Sequence, residues 1–523
     1  SLFPFEEQPG GVGADESLAG WMGGRVSARS AVLPGPLPIR MRTGSTLVPG
    51  SFCIAASIAL LVLPEGLSGI PIPILVWSTA IITFWLARRG FILSRRLGEN
   101  PWLAPRSLLM MFYFFKFGWG CLIIYYWDSF PWEAIPSLKE RFYAFGVRNN
   151  LDNACHLALL GAMGLFLGLS LPVNHLIERL PALKWPVGEQ QFRSRLILYT
   201  PIALVLSIGL RFVLPVTIQQ SVIVFGAVVS AMMVIAAYWL TIAKEGPERV
   251  KWIVFLSITV GISTTMGFTT GMVQEFLYPV VMVVWGYVLA KQTLPWKTLL
   301  VVGPLSFFLI FPWLTIYKYS GAMGPTMKIS DRLDVANEKF RMTDYRTGLE
   351  LTFDRFVARS STIEPAVYQQ FYPKVYPFLM GKSFLLELTA LVPRVLWPEK
   401  IGLSEELNRY TAGVGMVREG DGTSAVFDLV SEYYINFGLI GVVLFTALQG
   451  VYETILFYWL TVRTNYLIGA SIYAVLFFLN SEFFGLFYIF GWHTRMVPVW
   501  LLIFYFLSRR SSRRSQTAAP LMS

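Results

Sequence analysis

Twelve times along the chain, a run of mainly apolar residues long enough or nearly long enough to cross a lipid bilayer as a helix gives way to a polar turn. That recurrence leaves few folds open. Backbone polar groups in hydrocarbon must be satisfied inside the protein, which restricts spanning elements to helices and closed barrels, and runs of about 20 residues select the helix. The runs extend over Leu47–Leu63, Ser68–Leu86, Ser107–Trp127, Cys155–Val173, Leu196–Leu214, Ser221–Ile242, Ile253–Gly267, Met272–Ala290, Thr298–Tyr317, Tyr433–Leu460, Tyr466–Asn480 and Met496–Leu507. Composition agrees, since 54% hydrophobic and 14% charged residues fall far from the roughly 25% charge of soluble domains. The expected fold is an all-α polytopic membrane protein of about 12 transmembrane helices.

These runs divide the chain. Residues 1–46 are rich in Gly, Ser and Pro and are expected to form a disordered tail. Nine helices follow over 47–318, then a large loop over 319–432, three helices over 433–507 and a basic tail over 508–523. Lys and Arg set the orientation, because cytoplasmic segments retain them. If both termini are cytoplasmic, the cytoplasmic segments hold 23 of the 43 Lys and Arg, and the short loops opposite hold only Lys139, Arg141 and Arg148. The large loop is then external. It carries 15 acidic against 13 basic residues, so the net charge of +11 reflects membrane orientation and gives no sign of nucleic-acid binding. Cys53, Cys121 and Cys155 lie in or beside apolar runs without paired spacing, so neither a disulfide framework nor a thiolate metal site is expected.

The loop holds most of the polar chemistry. It contains PRVLWPEK (Pro393 to Lys400) and NRY (Asn408 to Tyr410) and leads into EYYINFG (Glu432 to Gly438). Leu349–Ser360 and Ser383–Val392 read as short helices, and Arg355 and Arg359, four apart, share a face of the first. The planar, permanently charged fork of arginine suits phosphate oxygens. Arg355, Arg359, Arg394 and Arg409 adjoin aromatic or apolar residues, whereas Arg332, Arg341 and Arg418 read as solvated charges.

Ionisable residues within or beside spans are costly and point to function. Arg211, Glu275, His156, Lys318, Glu432, Glu482, His493 and Arg495 are expected at the external ends of their spans, beneath the loop, with Lys318 reading as a snorkelling side chain. Lys116, deep in the third run among aromatics, calls for a buried carboxylate or carbonyl partner. Glu432 is the leading carboxylate base, although a helix-capping role for it stands beside that reading. His493 is the alternative base. Asp331 and Asp334 form a DxxD of common spacing, and no His or Cys cluster accompanies it, so no metal is expected.

In that order, PRVLWPEK, NRY and TSAVFDLVSEYYINFGLIG (Thr423 to Gly441), with RFVARS (Arg355 to Ser360) upstream, resemble the Wzy-like and O-antigen ligase-like bacterial polysaccharide polymerase family. The resemblance covers roughly the last third of the chain. It implies a GT-C-like, metal-independent glycosyltransferase of the bacterial inner membrane with no cofactor. The implied donor is a growing polysaccharide chain on undecaprenyl diphosphate, the acceptor the next undecaprenyl-diphosphate-linked oligosaccharide, and the partners a flippase and a chain-length regulator. Such a reaction needs cations for the leaving diphosphate and a base for the attacking hydroxyl. The resemblance thus assigns Glu432, Arg394 and Arg409 to catalysis. It assigns Arg211, Arg355, Arg359, Trp397, Tyr410, Glu275 and His493 to substrate binding, with Trp397 and Tyr410 either stacking on sugars or serving only as packing. TTGMVQEFLYP (Thr269 to Pro279) lacks an arginine that relatives often carry there, which leaves Glu275 as a base or carbohydrate acceptor. A ligase using the same donor, and a transporter or flippase, are the competing functions.

Overall fold

The computed structural model describes residues 47–62, 67, 69–126, 150–183, 189–213, 216–270, 273–320, 329–342, 345–360, 363–389, 391–392, 397, 399, 403–415, 427–479 and 485–508, along parts of several helices as backbone path alone. All regular structure among them is helical. In chain order the elements are α1 (Leu47–Val62), α2 (Ile72–Arg96), α3 (Pro105–Tyr126), α4 (Leu151–Ser170), α5 (Asn174–Arg179), α6 (Glu189–Val213), α7 (Val216–Ile242), α8 (Pro247–Thr270) and α9 (Val273–Lys291). Next comes α10, which runs Trp296–Leu305, passes through a π-helical turn at Ser306–Ile310 and ends with Phe311–Ser320. The loop region contributes α11 (Ile329–Met342), α12 (Tyr345–Ser360), α13 (Ile363–Phe371), α14 (Lys382–Thr389) and α15 (Leu403–Gly413). The last three are α16 (Leu429–Val462), α17 (Tyr466–Leu479) and α18 (Leu486–Ser508).

Eight of these, α2, α3, α4, α6, α8, α10, α16 and α18, are long and apolar enough to cross a membrane, as a multi-pass α-helical membrane protein requires. Four shorter apolar helices, α1, α7, α9 and α17, complete the set, so every predicted apolar run overlaps a helix. The largest boundary differences are at the end of α2, which runs on to Arg96 rather than Leu86, and at α18, which starts at Leu486 rather than Met496 and so takes His493 and Arg495 inside the helix. Likewise α16 starts at Leu429, which puts Glu432 in its first turns rather than at the end of the loop.

The core is built on α4 and α16. Glycines bring their backbones together: a Cβ on Gly168 would lie 1.9 Å from the Ala447 carbonyl oxygen, and one on Gly450 2.6 Å from that of Leu165. Gly164 and Gly168 are four apart, and small residues at that spacing allow close approach of helices in lipid, where packing rather than water exclusion drives association. At the end of this pair remote from the loop, Arg106 at the start of α3 is 2% exposed and makes three bonds. Its Nη1 donates to Glu99 Oε1 (2.6 Å) and to the Tyr458 hydroxyl (2.7 Å), and its Nε to the Leu169 carbonyl (2.8 Å). Tyr458 also donates to Glu99. One guanidinium therefore ties α3, α4 and α16 at that end and balances a buried carboxylate.

Candidate functional site

At the loop end, α16 is broken. Phe437 (φ −138°, ψ 17°) and Gly438 (φ 64°, ψ −153°) leave helical geometry and separate a short helix over 429–436 from a long one over 439–462. Gly438 has a backbone conformation that side chains disfavour, which explains a glycine there. A break leaves carbonyls without helical partners, and unpaired backbone groups are costly. Loop residues supply the donors: Leu379 N to the Ile435 carbonyl (2.8 Å) and Met380 N to that of Asn436 (3.1 Å). Gly381 N donates to Asn436 Oδ1 at 2.9 Å. The loop is thereby hydrogen-bonded into the break.

The start of α16 is held equally firmly. Asp428 caps it, its Oδ1 accepting from Ser431 N at 2.8 Å. Asp428 N in turn donates to Glu364 Oε2 on α13 at 2.9 Å, while Asp428 Oδ2 is buried with no donor in bonding geometry. Glu364 keeps some exposed area though it is densely surrounded. Burial first, and the neighbouring Asp428 next, push its carboxyl well above the usual range, and Lys116 draws it partly back. Lys116 lies on a π-helical turn of α3, Phe114–Gly118, and its charge acts on the Glu364 carboxyl.

One turn along α16 the pattern repeats with α14. Glu432 is fully buried, and its Oε1 accepts from Ser383 Oγ at 2.7 Å. Asn436 Nδ2 donates to the same Ser383 Oγ (2.7 Å) and to the Glu432 carbonyl (2.8 Å). Glu432 Oε2 is packed on Gly485, where a Cβ would lie 1.7 Å away. Glu387, also on α14 and 1% exposed, faces it. Neither oxygen of Glu387, nor Glu432 Oε2, meets an N–H or O–H donor in bonding geometry. The Tyr488 N–H lies near Glu387 but outside that geometry. The two carboxyls are placed to hydrogen-bond one another once one carries a proton. Burial, then the Glu432 charge, pushes Glu387 well up from the usual carboxylate range.

Apolar packing encloses this network. Phe384 of α14 stacks on Phe487 (4.5 Å) and meets Phe445 edge-on (4.8 Å). The Tyr433 hydroxyl donates to Gln449 Oε1 and accepts from Leu486 N, both at 2.6 Å.

The other candidate residues divide clearly. Tyr410 on α15 is half-buried, 6.4 Å from Phe427, and Phe427 in turn meets Tyr368 of α13 at 5.4 Å. NRY is thus tied to the start of α16. Arg409 and Trp397 are exposed. His493 is buried, its Nδ1 paired with the Tyr452 hydroxyl at 2.9 Å, an orienting partner that sequence did not reveal. His156 is also buried, with Nε2 2.9 Å from the Leu60 carbonyl. Arg394 and Glu482 lie outside the described residues, as do the side chains of Arg211, Glu275, Lys318, Arg355 and Arg359. Sequence reasoning missed Glu364, Ser383, Glu387 and Asn436. The first three look like ordinary loop polar groups, and the signal available for Ser383 and Glu387 was their place inside the short helical pattern of Ser383–Val392.

Among the described residues, no group of three or more His, Cys, Asp and Glu is placed to hold a metal ion. The arrangement concentrates buried carboxyl groups and their proton chemistry beneath loop helices that present an exposed arginine and aromatics. No curated protein and no solved structure matches the chain. A family match covers residues 75–494, and the chain belongs to that family, Domain of unknown function (DUF8712).

Proposed function

We propose that the protein polymerises lipid-linked oligosaccharide repeat units, moving a growing glycan from undecaprenyl diphosphate to the next lipid-linked unit. On this reading the eight long and four shorter apolar helices are twelve spans of a GT-C-like bundle. The termini face the cytoplasm, and α11 to α15 lie on the outer face of a bacterial inner membrane. The observation that carries the reading is the contact of NRY with the TSAVFDLVSEYYINFGLIG segment, just before α16, through Tyr410 and Phe427, since these are two of the motifs on which the family resemblance rests.

In the proposed transfer, a sugar hydroxyl of the acceptor bonds to the anomeric carbon of the donor as the bond to the diphosphate breaks. The hydroxyl proton passes to a carboxylate, and the bonding pair leaves with the diphosphate, whose charge Arg355, Arg359, Arg394, Arg409 and Arg211 would meet. Trp397 and Tyr410 would carry the sugars. Glu432 is the proposed base, but it is fully buried in this conformation, so the role requires α14 to withdraw from it.

A transporter or flippase is the second reading, favoured by buried polar groups along α16. Glu453 lies well inside its long helix with Oε2 3.2 Å from the donating Tyr473 hydroxyl, and a broken helix is a common device in transporters. Purified protein supplied with lipid-linked repeat units decides between them. A ladder of products supports polymerisation, a single transfer to an unrelated acceptor supports a ligase, and lipid movement without transfer supports the second reading.

A further inference from the structure

The contact between loop and bundle contains two acid–acid pairs one helical turn apart on α16. Glu364 of α13 meets Asp428, and Glu387 of α14 meets Glu432. Each pair leaves at least one buried oxygen with no donor: Asp428 Oδ2 in the first, and Glu432 Oε2 with both Glu387 oxygens in the second. Two ionised carboxylates cannot sit together out of water, and one proton placed between them turns repulsion into a hydrogen bond. The fit of Gly485 against Glu432 Oε2 leaves the neighbouring Glu387 carboxyl as the group positioned to answer that oxygen.

We propose that Glu364 and Glu387 are proton-carrying clamps, which hold α13 and α14 down over Glu432 while each pair keeps a proton and release them when the protons leave. Among the described residues the charged and titratable neighbours are few, and Asp428 of the first pair also acts on Glu432 of the second. Glu364 faces Asp428 at the start of α16 and Lys116 from α3, with Tyr368 on its own helix. Glu387 faces Glu432 and Tyr433 of α16 and the backbone of Tyr488 on α18. Lys116 tempers only the first pair, so the second pair is the more sensitive clamp.

The clamp supplies the motion that a base role for Glu432 requires, and in that respect it rests on the proposed function. Its physical content does not. Release of one proton per pair makes the opening constant grow up to about tenfold per pH unit for each pair.

The test is hydrogen exchange of the full-length protein in lipid nanodiscs between about pH 5 and pH 9, corrected for the intrinsic pH dependence of exchange. The paired stretch of α4 and α16 serves as internal reference. Protection of α13, α14 and 379–381 should fall relative to that reference as pH rises. Glu364→Gln and Glu387→Gln, whose amides donate permanently, should keep their own helix protected. Wild-type protection that does not change with pH overturns the proposal, and so does an unchanged pH response in both variants. If Glu387→Gln fails to fold, Glu432→Gln supplies the same permanent donor from the other side. A pH-dependent release with no product ladder at any pH would retain the clamp and remove the glycosyl-transfer reading.

Discussion

The two ends of α16 bury carboxyl groups in opposite ways. At the end remote from the loop, Glu99 meets a guanidinium and a tyrosine hydroxyl, and Arg106 is further fixed by the Leu169 carbonyl. Burial raises the Glu99 carboxyl and Arg106 pulls it back. At the loop end, Glu387 and Glu432 meet each other, and among the described residues the cation acting on the Glu364 pair is Lys116. A cation makes a buried acid a fixed staple, whereas a second acid makes it conditional on a proton. The chain thus has a permanent joint at one end of its central helix and a conditional one at the end where Tyr410 meets Phe427.

Removing the staple should have the largest effect on stability. Arg106→Ala leaves Glu99 and Tyr458 buried without their cation, a loss of about 3–5 kcal/mol, to be read as a steep fall in thermal stability and membrane accumulation. Next is pH, which acts on both loop-end pairs together. An isolated carboxyl titrates near 4.5, and that of Glu364 is pushed up to about 8. Between those values the folded form binds more protons than the unfolded one, so stability is greatest at the acid side and falls as pH rises. Glu387, shifted in the same direction, adds to the slope. In the Glu364→Gln, Glu387→Gln double variant the slope of melting temperature against pH should shrink, leaving that of Glu99 and other buried acids.

Gly438→Ala forces a side chain into a positive-φ conformation with its Cβ 3.1 Å from Phe378. It should cost about 1–3 kcal/mol, with hydrogen exchange rising first at 379–381. Tyr433→Phe removes the donor to Gln449 Oε1 and the acceptor of Leu486 N and should cost about 1–2 kcal/mol in the same melt. Arg409→Ala should be smallest, within about 0.5 kcal/mol, because Arg409 is exposed. If Arg409→Ala destabilised the protein as much as Arg106→Ala, the contrast between the two ends would fail.

The fold was legible wherever apolar runs decide it. Each predicted run meets a helix, and α12 and α14 fall where the loop pattern placed them. The start of α18 was missed because His493 and Arg495 lower its hydropathy, yet Tyr452 pairs with one and Trp492 lies beneath the other at 5.3 Å. Glu432 stood out because it adjoins a span. Glu364 and Glu387 did not, since an acid in a loop looks solvated until its partner, distant in sequence, is folded against it. The break at Gly438 was equally hidden, because NFG inside an apolar run reads as continuous helix.

The proposed glycan transfer at the loop end is measured most directly with purified lipid-linked repeat units and three proteins. Wild type should build a ladder of products, while Arg409→Ala and Arg394→Ala should build none though each accumulates in the membrane as wild type does. A ladder of undiminished length from both variants, or no transfer by the intact protein, would contradict the account.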